Sequence, residues 1–233
     1  MTAHIILLGP QGSGKGTQSE RVRARLNLAS IATGELFRSA IKGETELGKR
    51  IKAIYDRGEL VPDDITVALV EERLSNQAGQ GPHAELAGAL YDGFPRTAAQ
   101  AQALDDMLAR RGEAVTVAIA IDVPREALIE RLSGRRVCSV CGRVYNVMSD
   151  PPQRPGLCDV DGGELIQRAD DTPEAVAKRL DLYELETAPL VERYAERGLV
   201  TRIDGDRSID EVTDAVVSAI MERTAAAVRD PLA

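Results

Sequence analysis

The sequence predicts an α/β fold in which a doubly wound, five-stranded parallel sheet carries helices on both faces. Short, continuous apolar runs recur along the 233 residues, and such runs are typical of strands that are buried on both faces of a parallel sheet. Each run is followed by turn residues and then by a helical pattern, an alternation that indicates βαβ units. A glycine-rich turn between the first run and the first helical stretch fits the same fold.

The predicted elements follow one another in a regular order that two segments interrupt. Strands are predicted at 4–8, 29–31, 86–90, 115–123 and 199–203, and the first helix at 17–26. Residues 32–61 carry helical patterns punctuated by glycines, whereas residues 134–171 are rich in Cys, Gly, Pro and Asp and predict a small β-rich unit. Residues 76–88 have the composition of an exposed loop, and the weak pattern of residues 225–233 predicts a tail that frays.

The overall composition is that of an acidic globular protein. The chain is 43% hydrophobic and 28% charged, its formal net charge is −8, and its isoelectric point is about 5.0. This charge argues against nucleic acid as a partner, since domains that bind nucleic acid are normally basic. The sequence has no apolar run of 18 residues, and its first residues lack the basic region of a signal peptide. We therefore expect a cytoplasmic protein without a membrane partner, and a monomer because no sustained apolar surface stripe is present.

The strongest local signal is the loop GPQGSGKGT at residues 9–17, between a predicted strand and a predicted helix. Its glycines allow a tight turn whose backbone N–H groups point at an anion, and the helix N-terminus adds partial positive charge. Lys15 is placed to reach the β- and γ-phosphates of a nucleotide, and Thr17 to meet a phosphate oxygen. Gly16 departs from the strict pattern, which has Ser or Thr after the lysine. The loop predicts binding of a nucleoside triphosphate without separating kinases from other NTPases.

A second signal, YDGFPRT at residues 91–97, narrows the choice among classes of nucleoside-triphosphate-binding protein. Asp92 ends an apolar strand, at the carboxyl edge where ligands bind in such sheets. A carboxylate there can hold Mg²⁺ through water. Arg96 follows a rigid proline and can present two N–H groups to one phosphate.

The three cysteines form a metal-binding pattern together with an aspartate. Cys138-x-x-Cys141 is followed, after 16 intervening residues, by Cys158-x-x-Asp161, and such paired gaps are typical of a tetrahedral metal site. Three thiolates and one carboxylate can hold Zn²⁺ with no open position, which predicts a structural role in a unit too small for its own core. Free thiols, a disulfide plus one thiol, and a zinc ribbon for nucleic acid are alternatives, and acidic surroundings argue against the last. Asp159 is an alternative ligand, although the paired spacing favours Asp161.

These motifs, and others between them, resemble those of adenylate kinases over residues 5–216. The segments stand in the family's order and spacing: GPQGSGKGT, ATGELFR, GELVPDD, DGFPRT, GRRVCSVCGRVYN, RADD and AVAKRLDLY. The resemblance implies a reversible, Mg²⁺-dependent transfer of a phosphoryl group from ATP to AMP that gives two ADP and serves adenine nucleotide homeostasis. It implies a P-loop core of residues 1–31, 62–133 and 172–233, an AMP-binding insert at 32–61, and a lid that closes over ATP at 134–171. Some bacterial members carry a metal-bearing lid with this ligand set.

The resemblance also implies a role for each candidate residue. The catalytic cations would be Lys15, Arg96, Arg135, Arg168 and Arg179. The ATP contacts would be Gly12, Ser13, Gly14, Lys15, Gly16, Thr17, Arg131, Arg135, Val144, Tyr145 and Arg207. The AMP contacts would be Thr33, Arg38, Glu59, Leu60, Val61, Gly93, Phe94, Pro95, Arg96, Gln100, Arg168 and Arg179, with the Gln100 amide hydrogen-bonded to the adenine edge. Two positions depart from the family, because Ala32 stands where Ser is common and Arg207 where Lys is common.

Phosphoryl transfer explains the many cations in an acidic chain. ATP and AMP together bring about six negative charges, and the transfer needs alignment and charge neutralisation more than a general base. Arg131 and Arg135 are four residues apart at the end of a helical pattern, which predicts one shared helix face. Asp170 and Asp171 are expected to hold lid arginines when the lid closes, and closure is expected to exclude water.

Two other functions stay open at this point. A sibling kinase would phosphorylate another monophosphate, such as UMP or CMP, or use GTP as donor, and Thr33 and Gln100 are the positions that discriminate. A regulatory protein would bind nucleotides and change shape without turnover. The filled set of charged positions argues against it.

Overall fold

A five-stranded parallel sheet forms the centre of the protein, as the apolar runs predict. The computed structural model describes residues 2–55, 57, 59–77, 88–167 and 171–229. Its strands are β1 Ala3–Leu8, β2 Ala29–Ala32, β3 Gly88–Asp92, β4 Val117–Asp122, β5 Arg135–Cys138, β6 Val144–Asn146, β7 Leu165–Ile166 and β8 Val200–Asp204. The central sheet has the order β2–β3–β1–β4–β8, and all its neighbouring strands are parallel. The predicted doubly wound α/β fold is thereby confirmed.

Helices cover both faces of this sheet because alternate strand residues point to opposite sides. They are α1 Lys15–Leu26, α2 Thr33–Lys42, α3 Glu46–Tyr55, α4 Asp63–Gln77, α5 Ala98–Ala109, α6 Arg125–Gly134, α7 Pro173–Leu182, α8 Pro189–Ala195 and α9 Ile209–Arg229, with a π-helical segment at Tyr183–Thr187. Ile6 and Leu8 of β1 point into a core that α4, α5 and α8 cover. Ile5 and Leu7 point into a second core that α1 and α9 cover. No helix among the described residues is long and apolar enough to cross a membrane.

The strand order brings the loop after β1 next to the carboxyl end of β3. β1 lies between β3 and β4, so the chain crosses to one side after β1 and later returns to fill the other side. Leu7 of β1 is in register with Asp92, the last residue of β3. The loop that follows β1 therefore lies beside the carboxyl end of β3, the position where ligands bind in open α/β sheets.

The two predicted interruptions of the alternation differ in structure. Helices α2 and α3 bury Phe37 and Ile51 against Val61 and Ile65. Residues 134–171 contain a three-stranded antiparallel sheet with the order β6–β5–β7, in agreement with the predicted β-rich unit.

Some boundaries differ from the prediction. Helix α1 begins two residues before the predicted start, and α9 runs to Arg229, inside the segment predicted to fray. Of the predicted loop at 76–88, residues 76–77 end α4 and Gly88 begins β3, while residues 78–87 lie outside the described residues.

The prediction that Arg131 and Arg135 share a helix face is wrong. Helix α6 ends at Gly134, and Arg135 has extended backbone angles (φ −68°, ψ 136°) as the first residue of β5. The Asn146 side-chain amide donates to the carbonyl of Arg131 at 3.0 Å, and the backbone N–H of Val147 donates to the carbonyl of Gly134 at 3.0 Å. These donors satisfy carbonyls at the helix end and stop the helix there.

Candidate active site

The loop after β1 has a conformation that only its glycines allow. Gly9, Gly12 and Gly14 have φ angles of 147°, 88° and 93°, a region that side-chain-bearing residues rarely adopt. A Cβ atom at Gly9 would lie 2.7 Å from Ser13 Oγ and 2.8 Å from the carbonyl oxygen of Ile121. The loop leads directly into the N-terminus of α1, so backbone N–H groups and the helix dipole face the same space.

Lys15, the first residue of α1, is the centre of the charged cluster. Its ammonium group donates to the carbonyl oxygens of Gly9 at 2.5 Å and Pro10 at 2.7 Å. Burial is the main cause that lowers the pKa of Lys15 to about 8, Asp92 opposes this shift, and Arg96, Arg179 and Arg135 add to it. These four residues come from three separate segments of the chain, because Asp92 and Arg96 belong to the same motif. The site thus combines an excess of positive charge with one carboxylate, which favours an anionic ligand.

The second motif packs against the first. A Cβ added at Gly16 would lie 3.8 Å from a carboxylate oxygen of Asp92, so this carboxylate faces the phosphate loop. Gly93 has φ 73°, and a Cβ there would lie 2.7 Å from Thr33 Oγ1 and 3.0 Å from a guanidinium nitrogen of Arg96. Thr33 Oγ1 donates to the carbonyl of Gly93 at 2.9 Å, and Arg96 Nε donates to the same carbonyl at 2.9 Å. The predicted AMP-contact residues Thr33, Gly93 and Arg96 therefore meet at one point.

Gln100 is buried beneath this point and its amide is held by two neighbours. Its Oε1 accepts from the backbone N–H of Arg96 at 2.8 Å, and its Nε2 donates to Asp63 Oδ1 at 2.7 Å. The hydroxyl of Thr97 donates to Asp63 Oδ2 at 3.0 Å. Asp63 is a residue that the sequence analysis missed. Its position, directly after Pro62 at the start of a helix, is a sequence signal for a helix N-terminus but not for a contact 37 residues away.

The remaining predicted AMP contacts differ in burial. Phe94 and Pro95 are buried beside Gly93. Arg38 is exposed on α2, with its guanidinium 3.2 Å from where a Cβ of Gly34 would stand. Residues 59–61 run from exposed Glu59 to buried Val61 and lead into α4.

Arg135 of the predicted lid and Arg131 of α6 both have carboxylate partners. Arg135 makes a bidentate pair with Asp171, with Nε 2.8 Å from Oδ2 and the second nitrogen also in contact. Arg131 donates to the carbonyl of Gly205 at 2.9 Å and to Asp206 at 2.9 Å. Asp171 therefore contacts a lid arginine, as its place in the sequence predicts.

The other predicted ATP-side residues occupy different environments. Arg207 pairs with Glu211 one helical turn away on the surface. Val144 is exposed, whereas Tyr145 is buried, with its hydroxyl 3.4 Å from Cys158 Sγ and accepting from the backbone N–H of Asp159 at 2.8 Å. A contact of Tyr145 with ATP would therefore use its backbone. The predicted catalytic residue Arg168 and the predicted lid partner Asp170 lie outside the described residues.

Of two further polar groups in the phosphate loop, Ser13 is a predicted ATP contact, whereas the side chain of Gln11 was not predicted. Within the described part of the chain, both amide atoms of Gln11 and the hydroxyl of Ser13 are buried without a hydrogen-bond partner. Buried polar atoms of this kind are rare in folded proteins. They mark this loop as a place where a ligand supplies the missing bonds.

The cysteine pattern gathers into one cluster with the geometry of a tetrahedral site. One donor atom each of Cys138, Cys141, Cys158 and Asp161 lies within 4.8 Å of all the others. Zn–S and Zn–O bonds of about 2.3 and 2.0 Å give tetrahedron edges of about 3.8 Å between two sulfurs and about 3.5 Å between sulfur and oxygen. The observed separations are 3.6 Å between the sulfurs of Cys141 and Cys158, and 3.3 Å between Cys138 Sγ and Asp161 Oδ1. The donor set fits zinc, and the cluster contains Asp161, the aspartate that the spacing favours.

Comparisons with known proteins agree with this geometry. The family model for adenylate kinase matches residues 7–199. An adenylate kinase of Carboxydothermus hydrogenoformans is 49% identical over 218 residues, which cover 94% of this chain and 99% of that protein. An adenylate kinase of Moorella thermoacetica is 50% identical over 93% of this chain and 97% of its own length. The adenylate kinase of Bacillus subtilis is 46% identical over 90% and 94%. The chain belongs to the adenylate kinase family.

Proposed function

We propose that this chain is an ATP:AMP phosphotransferase that reversibly converts ATP and AMP into two ADP. The observation that carries the proposal is the charged cluster around Lys15, whose ammonium group interacts electrostatically with Asp92, Arg96, Arg135 and Arg179, together with the Asp92 carboxylate that faces Gly16 of the phosphate loop. One carboxylate among several cations suits a phosphoryl group in transfer, whose charge is spread over several oxygens and metal ions.

On the ATP side, the backbone N–H groups of residues 12–17 and Lys15 bind the phosphates. Lys15 exchanges its bonds to two loop carbonyls for bonds to phosphate oxygens. Asp92 faces this loop, and it would hold Mg²⁺ through water. Mg²⁺ would neutralise charge on the β- and γ-phosphates. Arg131, Val144, Tyr145 and Arg207 contact the rest of ATP, with Tyr145 using its backbone.

On the AMP side, the arginines align the acceptor phosphate and Gln100 binds the base. Arg96 is fixed by its bond to the Gly93 carbonyl, so its guanidinium is oriented before AMP arrives. Thr33, Arg38, residues 59–61 and 93–95, and the two arginines Arg168 and Arg179 complete this subsite.

The domain division follows from these roles. Residues 1–31, 62–133 and 172–233 form the core, residues 32–61 the AMP-binding insert, and residues 134–171 the lid. Closure of the lid over the phosphates excludes water, so that ATP is not hydrolysed. Zn²⁺ held by the three cysteines and Asp161 would give the lid a rigid framework in place of an apolar core. We further propose a cytoplasmic monomer without nucleic-acid or membrane partners, in keeping with the net charge of −8.

A coupled assay of ATP and Mg²⁺ with AMP, GMP, CMP or UMP tests the proposal. We expect turnover with AMP and formation of ATP and AMP in the reverse reaction from ADP. A preference for a pyrimidine monophosphate would keep the mechanism and overturn the assignment of the base. Nucleotide binding without turnover on any acceptor would instead support a regulatory protein.

A further inference from the structure

We infer that Asp63 determines base specificity by locking the carboxamide of Gln100 in one of its two orientations, an inference that rests on the proposed contact between Gln100 and the base. A carboxamide has an oxygen and a nitrogen of nearly equal size, and a half-turn of the group exchanges a hydrogen-bond acceptor for a donor. Whether Gln100 favours adenine therefore depends on what prevents this half-turn.

Each of the two neighbours of the Gln100 amide can make only one kind of hydrogen bond, as an acceptor or as a donor. Asp63 Oδ1 only accepts and lies 2.7 Å from Nε2, while the backbone N–H of Arg96 only donates and lies 2.8 Å from Oε1. A half-turn would put Oε1 against the carboxylate and Nε2 against the N–H group, so that two attractions become two repulsions. The bond to Asp63 is charge-assisted, which makes it stronger than a bond between neutral groups.

Asp63 is itself held in place, so it can keep the Gln100 amide in one orientation. It is the first residue of α4, where the helix dipole favours a carboxylate. Its Oδ2 accepts from Thr97 Oγ1 at 3.0 Å, and Thr97 Oγ1 accepts from the backbone N–H of Gln100 at 3.2 Å. Asp63, Thr97 and Gln100 thus form a closed ring of hydrogen bonds. Only 2% of Gln100 is exposed, so water offers little compensation for a wrong orientation.

The locked orientation matches one class of purine when the base presents its C6 group to Oε1 and its N1 to Nε2. The two observed bonds use one hydrogen of Nε2 and one lone pair of Oε1, and each atom has one more. Adenine presents the N6 amino donor beside a ring-nitrogen acceptor. Hypoxanthine and guanine present the O6 acceptor beside the N1–H donor, the reverse pattern. A freely turning amide could hydrogen-bond to both patterns. The locked amide fits adenine, but with a 6-oxopurine it would place donor against donor and acceptor against acceptor.

The test is the ratio of kcat/KM for AMP to that for IMP, which differ in the group at C6. In Asp63→Asn, the residue offers the amide either an oxygen or an N–H group, so Gln100 can turn. We expect the ratio to fall by about tenfold or more, through a rise in KM for AMP with kcat for AMP changed by less than about threefold. Asp64→Asn removes the same charge from the next, exposed residue of α4 and is expected to keep the ratio within about twofold.

Other variants separate the possible failures. Equal losses for AMP and IMP in Asp63→Asn would show a merely structural role and overturn the inference, as would an unchanged ratio. If Asp63→Asn does not fold, Thr97→Val releases Asp63 Oδ2 and should lower the ratio by about threefold, whereas an unchanged ratio contradicts the lock. A ratio lost in Gln100→Ala and kept in Asp63→Asn overturns the role of Asp63 alone. A ratio kept in Gln100→Ala overturns the proposed base contact as well.

Discussion

At the scale of single residues, the pKa of Lys15 links nucleotide binding to pH. Burial and three neighbouring arginines disfavour the charged ammonium group and lower its pKa to about 8. The phosphates of ATP favour the charged form, so ATP binding raises this pKa. ATP affinity should therefore be full below pH 8 and weaken above it, because binding then requires uptake of a proton.

We predict that the Kd of ATP rises up to about tenfold per pH unit between pH 8.5 and 9.5. Calorimetry in two buffers with different ionisation enthalpies should detect net proton uptake on ATP binding at pH 9. Lys15→Met serves as the control, since it binds ATP more weakly but without this uptake. Equal proton uptake in the wild type and in Lys15→Met would assign the titration to another group.

Gly93 provides a second prediction about one residue. In Gly93→Ala, the new Cβ would meet Thr33 Oγ1 at 2.7 Å and an Arg96 nitrogen at 3.0 Å, in addition to the strain of φ 73°. We expect kcat/KM for AMP to fall by about tenfold or more, while the Kd of ATP changes by less than about twofold.

Gly112→Ala is a matched control, because Gly112 has φ 68° and no atom within 4 Å of the new Cβ. It should lose about 1 kcal/mol of stability and keep its kinetics. Similar kinetic losses in both variants would attribute the effect to backbone strain and not to displacement of Thr33 and Arg96.

At the scale of elements, one buried ion pair joins the two ends of the proposed lid, residues 134–171. Arg135 begins β5 and Asp171 lies just before α7, and the Asp171 side chain is fully buried while that of Arg135 is 15% exposed. Removal of one partner leaves a charge without compensation. We expect Asp171→Asn to lower the free energy of unfolding by about 2–4 kcal/mol, as measured by denaturant titration.

Asp181→Asn is the comparison for that ion pair. Asp181 pairs with Arg125 between α7 and α6, but its side chain is 71% exposed, so the loss should stay below about 1 kcal/mol. Equal losses in the two variants would mean that burial does not strengthen the Arg135–Asp171 pair.

The cluster of three cysteines and Asp161 is expected to stabilise the proposed lid through a bound metal ion. Cys138→Ser is expected to lose zinc and to lower the melting temperature, while turnover at low temperature continues because no metal ligand belongs to the phosphate site. Zinc content and calorimetric melting check this, with Val140→Ser in the same turn as a surface control. An unchanged melting temperature with undiminished zinc would contradict a structural lid metal.

At the scale of the whole molecule, buried apolar runs made the fold predictable. The inner strands β1, β3 and β4 have the buried apolar runs that are typical of a parallel sheet covered on both faces, whereas the edge strands β2 and β8 are only partly buried. The phosphate loop was predictable because its glycines allow a tight turn between a strand and a helix. Asp92 was predictable because it ends an apolar strand, at the edge of the sheet where ligands bind.

Contacts between distant segments could not be predicted in the same way. The bond between Asp63 and Gln100 spans 37 residues and leaves no periodic signal in the sequence. The end of α6 at Gly134 was missed because Asn146 of β6, a distant residue, contributes to stopping the helix. Local patterns therefore predicted the elements, the phosphate loop, Asp92 and Arg96, and the family resemblance implied the other charged residues. The tertiary structure determines which partner each charge has.

Incubation with ADP and Mg²⁺ as the only substrates, followed by phosphorus NMR, tests the central claim most directly. Reversible transfer between two bound nucleotides predicts that ATP and AMP appear in equal amounts up to a constant ratio, without inorganic phosphate. Loss of ADP with release of phosphate would show hydrolysis in a site open to water. Tight binding of ADP without any conversion would contradict a phosphotransferase.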